Sequence, residues 1–195
     1  MKGLRLLLTT IAMATACAGS TSAQTGAAAA PTDVIGLLNT VCVAAQGDAA
    51  VTRTLAMEAG FSAAPSSLAP PIRNASDIQM LVRSTETDAV ILMTGKITRR
   101  VGRDTVVMDA CALSVRPTDH RALDQRLRAL IGFAPVRLAG LEAYAWLQTP
   151  EGRAPTRALS DPQFVSMART GQMRMIAIDR QGEGSSLAYF LPRID

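Results

Sequence analysis

The chain has 195 residues, 48% of them hydrophobic, and its 20 basic and 16 acidic residues give a formal net charge of +4. This length fits one domain with a sizeable core, and the sequence has no run of about 20 uninterrupted apolar residues that would predict a membrane span. Nucleic-acid-binding proteins neutralise phosphates with clustered positive charge. No basic stripe with interleaved aromatic residues occurs here, which argues against that class.

Residues 1–23 have the pattern of a secretion signal. Lys2 and Arg5 precede an apolar run over residues 6–16, and small residues then lead to a predicted cleavage after Ala23. Cleavage there removes two basic residues and no acidic one, which leaves a net charge of about +2 on the mature chain. We therefore expect a periplasmic or secreted protein, in a compartment where disulfides persist.

A lipoprotein signal is the alternative interpretation of the same segment. Cys17 follows three small residues, a pattern that resembles the site at which a bacterial lipoprotein cysteine becomes diacylated. Processing at that site anchors the protein to the outer membrane, and a lipid on Cys17 is the one membrane contact that we expect. Under either interpretation we predict a flexible linker over residues 24–31 and a single domain over residues 32–195.

The mature domain is predicted to begin with two helices. Within residues 32–46, one helical face collects the apolar side chains Val34, Leu38, Val41, Cys42 and Ala45. A second helix follows Asp48, a favourable N-cap, and stops at Gly60. Residues 62–76 are rich in Pro, Ser and Ala and are predicted to form a surface loop.

Strand patterns dominate the middle of the chain. Residues 88–98 and 105–116 flank a turn that contains Gly102, which predicts a β-hairpin. In the second strand Cys111 shares its side with Leu113 and Val115, so we expect it to face the core. Further along, the patterns predict a helix over 119–131, strands over 141–148, 172–180 and 186–192, and a short helix near 162–169.

This order of elements predicts an α+β fold. Consecutive strands joined by tight turns favour an antiparallel sheet, and we expect the helices to cover one face of it. Cys42 on the helix and Cys111 on the strand would then form a disulfide, with two separately buried thiols as the alternative. A bridge that closes a loop of about 70 residues contributes roughly 4 kcal/mol in the chain-entropy model.

Catalytic motifs are missing from the sequence. It has no G-x-S-x-G, H-E-x-x-H or C-x-x-C pattern and no phosphate-binding loop, and His120 is its one histidine. A Cys–His nucleophile would need a reduced cysteine in an oxidising compartment. We therefore predict that His120 is a solvated residue at a helix start, and we expect no cofactor and no metal.

Two groups of carboxylates and one aromatic pair are the remaining candidates. Glu86 with Asp88, or Asp104 with Asp109, would suit acid–base chemistry, although such residues are more typical of solvated turns. Tyr144 and Trp146 alternate along residues 141–148 and would form a binding surface on an open sheet face. The alternative, which we favour, is that helices cover both sides of this strand.

The layout resembles that of small secreted proteins of Gram-negative bacteria. The resemblance rests on a helical segment with one cysteine, Leu37-Leu38-Asn39-Thr40-Val41-Cys42-Val43, and a strand with the second, Asp109-Ala110-Cys111-Ala112-Leu113. It implies no activity. We predict a periplasmic binding or interaction protein whose partner is a small ligand or another envelope protein. The alternatives are a small envelope hydrolase that uses Asp or Glu, and an inhibitor or immunity-type protein that plugs a partner's cleft.

Overall fold

The computed structural model of the protein describes residues 32–65, 72–85, 88–116, 118–138, 141–157 and 159–195. The predicted signal, Cys17, the linker and Glu86 lie outside the described residues. The helices are α1 (Val34–Leu37), which continues into a π-helical turn (Leu38–Val43), α2 (Ala49–Glu58), α3 (His120–Ile131) and α4 (Asp161–Arg169). The strands are β1 (Ser62–Ala63), β2 (Ala75–Ser84), β3 (Ala89–Val101), β4 (Asp104–Arg116), β5 (Val136–Leu138), β6 (Leu141–Thr149), β7 (Gly152–Pro155), β8 (Met173–Gln181) and β9 (Gly184–Ile194).

The strands of the described residues form one antiparallel sheet in the order β1-β2-β3-β4-β9-β8-β6-β5, with β7 also paired to β6. The β3–β4 hairpin turns where the sequence predicts it, at Gly102 with a φ of 62°. The long β4–β9 pairing then joins the two halves of the domain at the centre of the sheet. The predicted α+β fold with an antiparallel sheet is confirmed.

Side-chain caps explain where the helices begin. The Asp48 carboxylate accepts hydrogen bonds from the backbone N–H groups of Ala50 and Val51 at the start of α2. Asp119 accepts one from Ala122 at the start of α3, and Gly132 ends that helix with a φ of 90°. The cap at Asp48 is local, which is why the sequence located the start of α2, whereas α3 was located by its apolar periodicity.

The predicted disulfide is present. Cys42, on the π-helical turn, and Cys111, on β4, are bonded with 5.4 Å between their Cα atoms, and neither is more than 1% exposed. The bridge ties the N-terminal helices to the middle of the sheet. We call the sheet face that carries Cys111 the first face, and α1, α2 and α3 all pack there.

The opposite face of the sheet, the second face, is covered in part by α4. Phe164, Val165 and Ala168 of this helix pack on Val106 and Met173, whose side chains alternate away from the first face. The expectation that all helices cover one face is therefore wrong. Several central strands are apolar on both sides, and burying both sides requires cover on both faces.

The sequence also placed a loop where a strand begins. Residues 62–76 were expected to be loop, yet β2 starts at Ala75 and pairs with β3 along most of its length. Its register shifts between Ser76 and Gln79, and Asp77 has a φ of 56° at this irregularity. A bulge interrupts the alternation of polar and apolar residues, and this obscures the strand signal.

Candidate functional site

The aromatic pair on β6 lies in the core. Tyr144 and Trp146 are each 1% exposed, so the placement of a binding surface on these two residues is wrong. Trp146 packs near Phe133 and Tyr189, with ring centroids 6.4 Å apart in both cases, and the Arg153 guanidinium lies 5.3 Å from its centre. The alternative, that helices cover both sides of this strand, is confirmed for the first face, to which both aromatic side chains point.

Burial also changes the acidity of the tyrosines in this cluster. Loss of water around the ring raises the pKa of Tyr144, against the opposing effect of a hydrogen bond with Arg128. Burial likewise raises the pKa of Tyr189. Both phenols therefore stay protonated at neutral pH and act as packing groups.

Of the predicted carboxylate pairs, Glu86 lies outside the described residues, so its partner Asp88 is described alone. Asp88 accepts hydrogen bonds from the Thr32 backbone N–H at 2.7 Å and from the Thr85 hydroxyl at 2.7 Å. Partial burial raises the pKa of the Asp88 carboxyl, but hydrogen bonds from Thr85 and Thr32 outweigh it and leave that pKa below its usual value. Asp88 is thus an ionised structural group that fixes the start of the domain.

Asp104 and Asp109 belong to separate ion pairs. Asp104 lies 2.6 Å from the Arg169 guanidinium at the end of α4, and Asp109 pairs with Arg193 of β9. In the part of the chain that the structure describes, no three His, Cys, Asp or Glu side chains gather as a metal-binding group. These positions give acid–base catalysis no paired carboxylates.

His120 begins α3, as predicted, but its ring is not simply solvated. Nε2 lies 3.0 Å from the Gly182 carbonyl oxygen, which can only accept, so Nε2 donates. Nδ1 forms a second hydrogen bond, with the Ser185 hydroxyl at 2.8 Å. Ser185 is only 3% exposed, so this pair fastens α3 to the β8–β9 turn and offers no accessible nucleophile.

The second face carries a groove beside α4 with a cavity volume of about 330 Å³. Volumes of this order are at the lower end of those of small-molecule sites. Its walls are largely apolar and include Ile97, Met108, Leu159, Phe164, Met175 and Phe190. The groove runs from β3 to β5 across the sheet, because its lining includes residues of both strands.

Alanines explain why the groove is not filled. Ala112, Ala188, Ala177 and Ala143 stand directly opposite one another on the neighbouring strands β4, β9, β8 and β6. The last two lie in the groove. Antiparallel partners share a face, so this alanine row is a line of methyl groups on the second face. Phe190 and Met175, which pair in the adjacent row, stand higher and form one wall.

Two charged residues line the groove near Val101. Arg99 is exposed on β3, two residues before Val101 and on the same face of the strand. Asp161 is the first residue of α4, and it also lines a neighbouring hollow together with Val101. Neither residue forms an ion pair within 4.0 Å in the described ranges. We call Arg99 and Asp161 the rim pair.

Sequence reasoning did not find this groove. The available signal was the recurrence of alanine at alternate strand positions, such as Ala143, Ala145 and Ala177. Isolated strands do not reveal which alanines will align, because the register between strands far apart in the chain is a tertiary property.

No protein-family model, curated protein or solved structure matches the chain. None of the described helices is long and apolar enough to cross a lipid bilayer.

Proposed function

We propose that the protein is an exported binding protein that holds a small ligand with an apolar body in the groove beside α4. The observation that carries this proposal is an open apolar groove with an alanine floor in a sheet whose first face is closely packed. Ligand sites are typically concave, mostly apolar and provided with a few polar groups at the edge. The groove has each of these properties, and the rim pair supplies the polar groups.

The signal pattern and the disulfide support an extracytoplasmic location for this activity. Two cysteines buried as a disulfide suit an oxidising compartment. The position of the groove, on the face away from the disulfide, leaves the site independent of the bridge that holds the domain together.

The test is saturable binding of a neutral apolar probe, N-phenyl-1-naphthylamine, followed by its fluorescence. In Ala177→Leu a larger side chain rises from the groove floor and should weaken probe binding at least tenfold, about 1.4 kcal/mol. Ala112→Leu is the matched control. It makes the same change in the same alanine row, but Ala112 is not part of the groove lining.

We expect Ala112→Leu to bind the probe as the wild type does. A melting curve for each variant shows that the fold is retained. Equal loss of binding in both variants, or no saturable binding by the wild type, would contradict the proposal.

A further inference from the structure

We propose that the ligand of this groove is zwitterionic, an apolar α-amino acid or a molecule with the same arrangement of charges. Arg99 would receive its carboxylate and Asp161 its ammonium group, while its side chain lies on the alanine floor. This inference rests on the proposed function and adds the chemical class of the ligand.

The rim pair places two opposite charges on one groove without joining them in a salt bridge. Several other charged residues on the sheet are joined in this way: Arg169 with Asp104, Arg193 with Asp109, and Arg180 with both Asp124 and Glu142. Arg99 and Asp161 carry opposite charges and line the same groove, yet they do not pair with one another within 4.0 Å. No salt bridge between them has to break before a ligand binds either group.

The backbone holds the two rim groups on separate elements. Arg99 lies on β3 inside the continuous β3–β4 ladder, where it faces Val106. Asp161 follows Ser160, whose backbone N–H and hydroxyl both contact the Gln163 side chain at 2.9 Å and fix the first turn of α4. The strand and the helix thus set the separation of the two charges.

The two rim charges favour some charge patterns of a ligand over others. An anion gains from Arg99 but is repelled by Asp161, and a cation has the reverse balance. A neutral apolar molecule leaves both groups hydrated and uses only the groove walls. A zwitterion satisfies both at once, because a guanidinium binds a carboxylate in a fork of two hydrogen bonds and a carboxylate accepts from an ammonium group.

The charges next to the groove belong to other surfaces. Asp104 and Arg169, which line the neighbouring hollow, neutralise each other in an ion pair. Arg100, the next residue along β3, pairs with Thr105 in the ladder, and its side chain alternates to the first face. Arg103 adds a positive charge to the neighbouring hollow, but among the described residues the charged ones that line the groove itself are the rim pair.

The experiment uses three probes that share a phenyl ring and differ in charge. They are L-phenylalanine, which is zwitterionic, 3-phenylpropanoate, which lacks the ammonium group, and 2-phenylethylamine, which lacks the carboxylate. Binding is measured by calorimetry and by displacement of the neutral naphthylamine probe. We expect L-phenylalanine to bind at least tenfold more tightly than either of the other two.

Variants of the rim pair identify which rim residue binds which charged group of the ligand. Arg99→Gln should abolish the preference for L-phenylalanine over 2-phenylethylamine, since the carboxylate loses its partner. Asp161→Asn should abolish the preference over 3-phenylpropanoate. The matched controls are Arg100→Gln and Glu58→Gln, which remove the same charges at exposed positions outside the groove and should leave all affinities unchanged.

The outcomes separate this inference from the proposed function. Loss of probe binding in Ala177→Leu shows that the groove is the binding site. If all three probes nevertheless bind equally, or if the control variants change their affinities as much as the rim variants do, the zwitterion inference is wrong. If no probe binds and the naphthylamine also fails, both proposals fall. A tenfold zwitterion preference that each rim variant removes selectively supports both.

Discussion

At the scale of single residues, burial decides what the most conspicuous side chains do. Trp146 contacts Phe133, Tyr189 and Arg153, and its indole N–H donates to Gln148 at 3.3 Å. Such a side chain stabilises the folded state through the apolar area that it buries and through its aromatic contacts. It belongs to the stability of the domain, whereas the proposed ligand site lies on the other side of the sheet.

This placement gives a prediction for Trp146, the one tryptophan of the chain. Its emission should be blue-shifted and slowly quenched by acrylamide. Trp146→Ala should lower the free energy of unfolding by about 3–5 kcal/mol, because it leaves a cavity among large rings. Urea denaturation measures the loss, and Val51→Ala, at a position 45% exposed, is a control expected to change stability by less than about 0.5 kcal/mol. Red-shifted, rapidly quenched emission would contradict this account.

Asp88 gives a prediction about pH. Partial burial raises the pKa of its carboxyl, but the hydrogen bonds of Thr85 and Thr32 to the ionised form dominate and lower it from 3.8. A lowered pKa in the folded state means that the stabilisation is complete above the unfolded value and disappears as the pH falls through the folded value. Asp88→Ala should therefore be less stable than the wild type at pH 7.

The stability gap between Asp88→Ala and the wild type should close as the pH falls below about 3.8. Urea unfolding of both proteins at several pH values measures it. Glu58→Ala, at an exposed position on α2, is the control, and its gap should be small throughout. A gap for Asp88→Ala that stays constant down to strongly acid pH would show that its hydrogen bonds do not depend on ionisation.

At the scale of elements, one turn sets how closely the N-terminal helices approach the sheet. Gly47 lies between the π-helical turn and α2 with a φ of 78°. A Cβ atom at this position would lie 3.1 Å from Cβ of Asp109 and 3.2 Å from Cδ1 of Leu191. The turn therefore needs glycine both for its left-handed backbone and for its contact with β4 and β9.

Gly47→Ala should destabilise the protein by about 1–3 kcal/mol, from the left-handed conformation and from the steric contact together. Gly102→Ala is a matched control, since Gly102 has a φ of 62° but its added Cβ would meet nothing within 4 Å. The control should show the conformational cost alone. Thermal unfolding of both variants tests this, and equal losses would mean that the contact with the sheet contributes nothing.

At the scale of the whole molecule, the disulfide connects the layer of N-terminal helices to a central strand. Cys42 and Cys111 are 69 residues apart, so their bond restricts a long loop of the unfolded chain. The sequence predicted this pairing because each cysteine lies on an apolar face of its own element. Predicting this disulfide needed only the local periodicity of each element and the expectation of an oxidising compartment.

Protein from an oxidising compartment should show no free thiol in residues 32–195 when titrated under denaturing conditions without reductant. The double variant Cys42→Ala/Cys111→Ala should have a free energy of unfolding lower by roughly 4 kcal/mol, because the bridge no longer restricts its unfolded chain. Urea denaturation measures this loss. Two titratable thiols in the exported domain would contradict the assignment.

The sequence by itself determined the features that depend on neighbours within about ten residues. These are the cap at Asp48, the hairpin turn at Gly102, the α+β order of the elements and the inward faces of both cysteines. The signal, the possible lipid on Cys17 and the periplasmic location also come from the sequence and remain predictions. Periodicity identifies which side chains share a face, because that follows from backbone geometry alone.

Only the tertiary structure decided what covers each face. Whether Trp146 is buried depends on α3, and whether Ala143 and Ala177 form a floor depends on the register of β6, β8 and β9. The placement of α4 on the second face, which brings Asp161 to the groove that Arg99 lines, is equally a matter of long-range pairing. Strand register is fixed by contacts between distant parts of the chain, so no local pattern contains it.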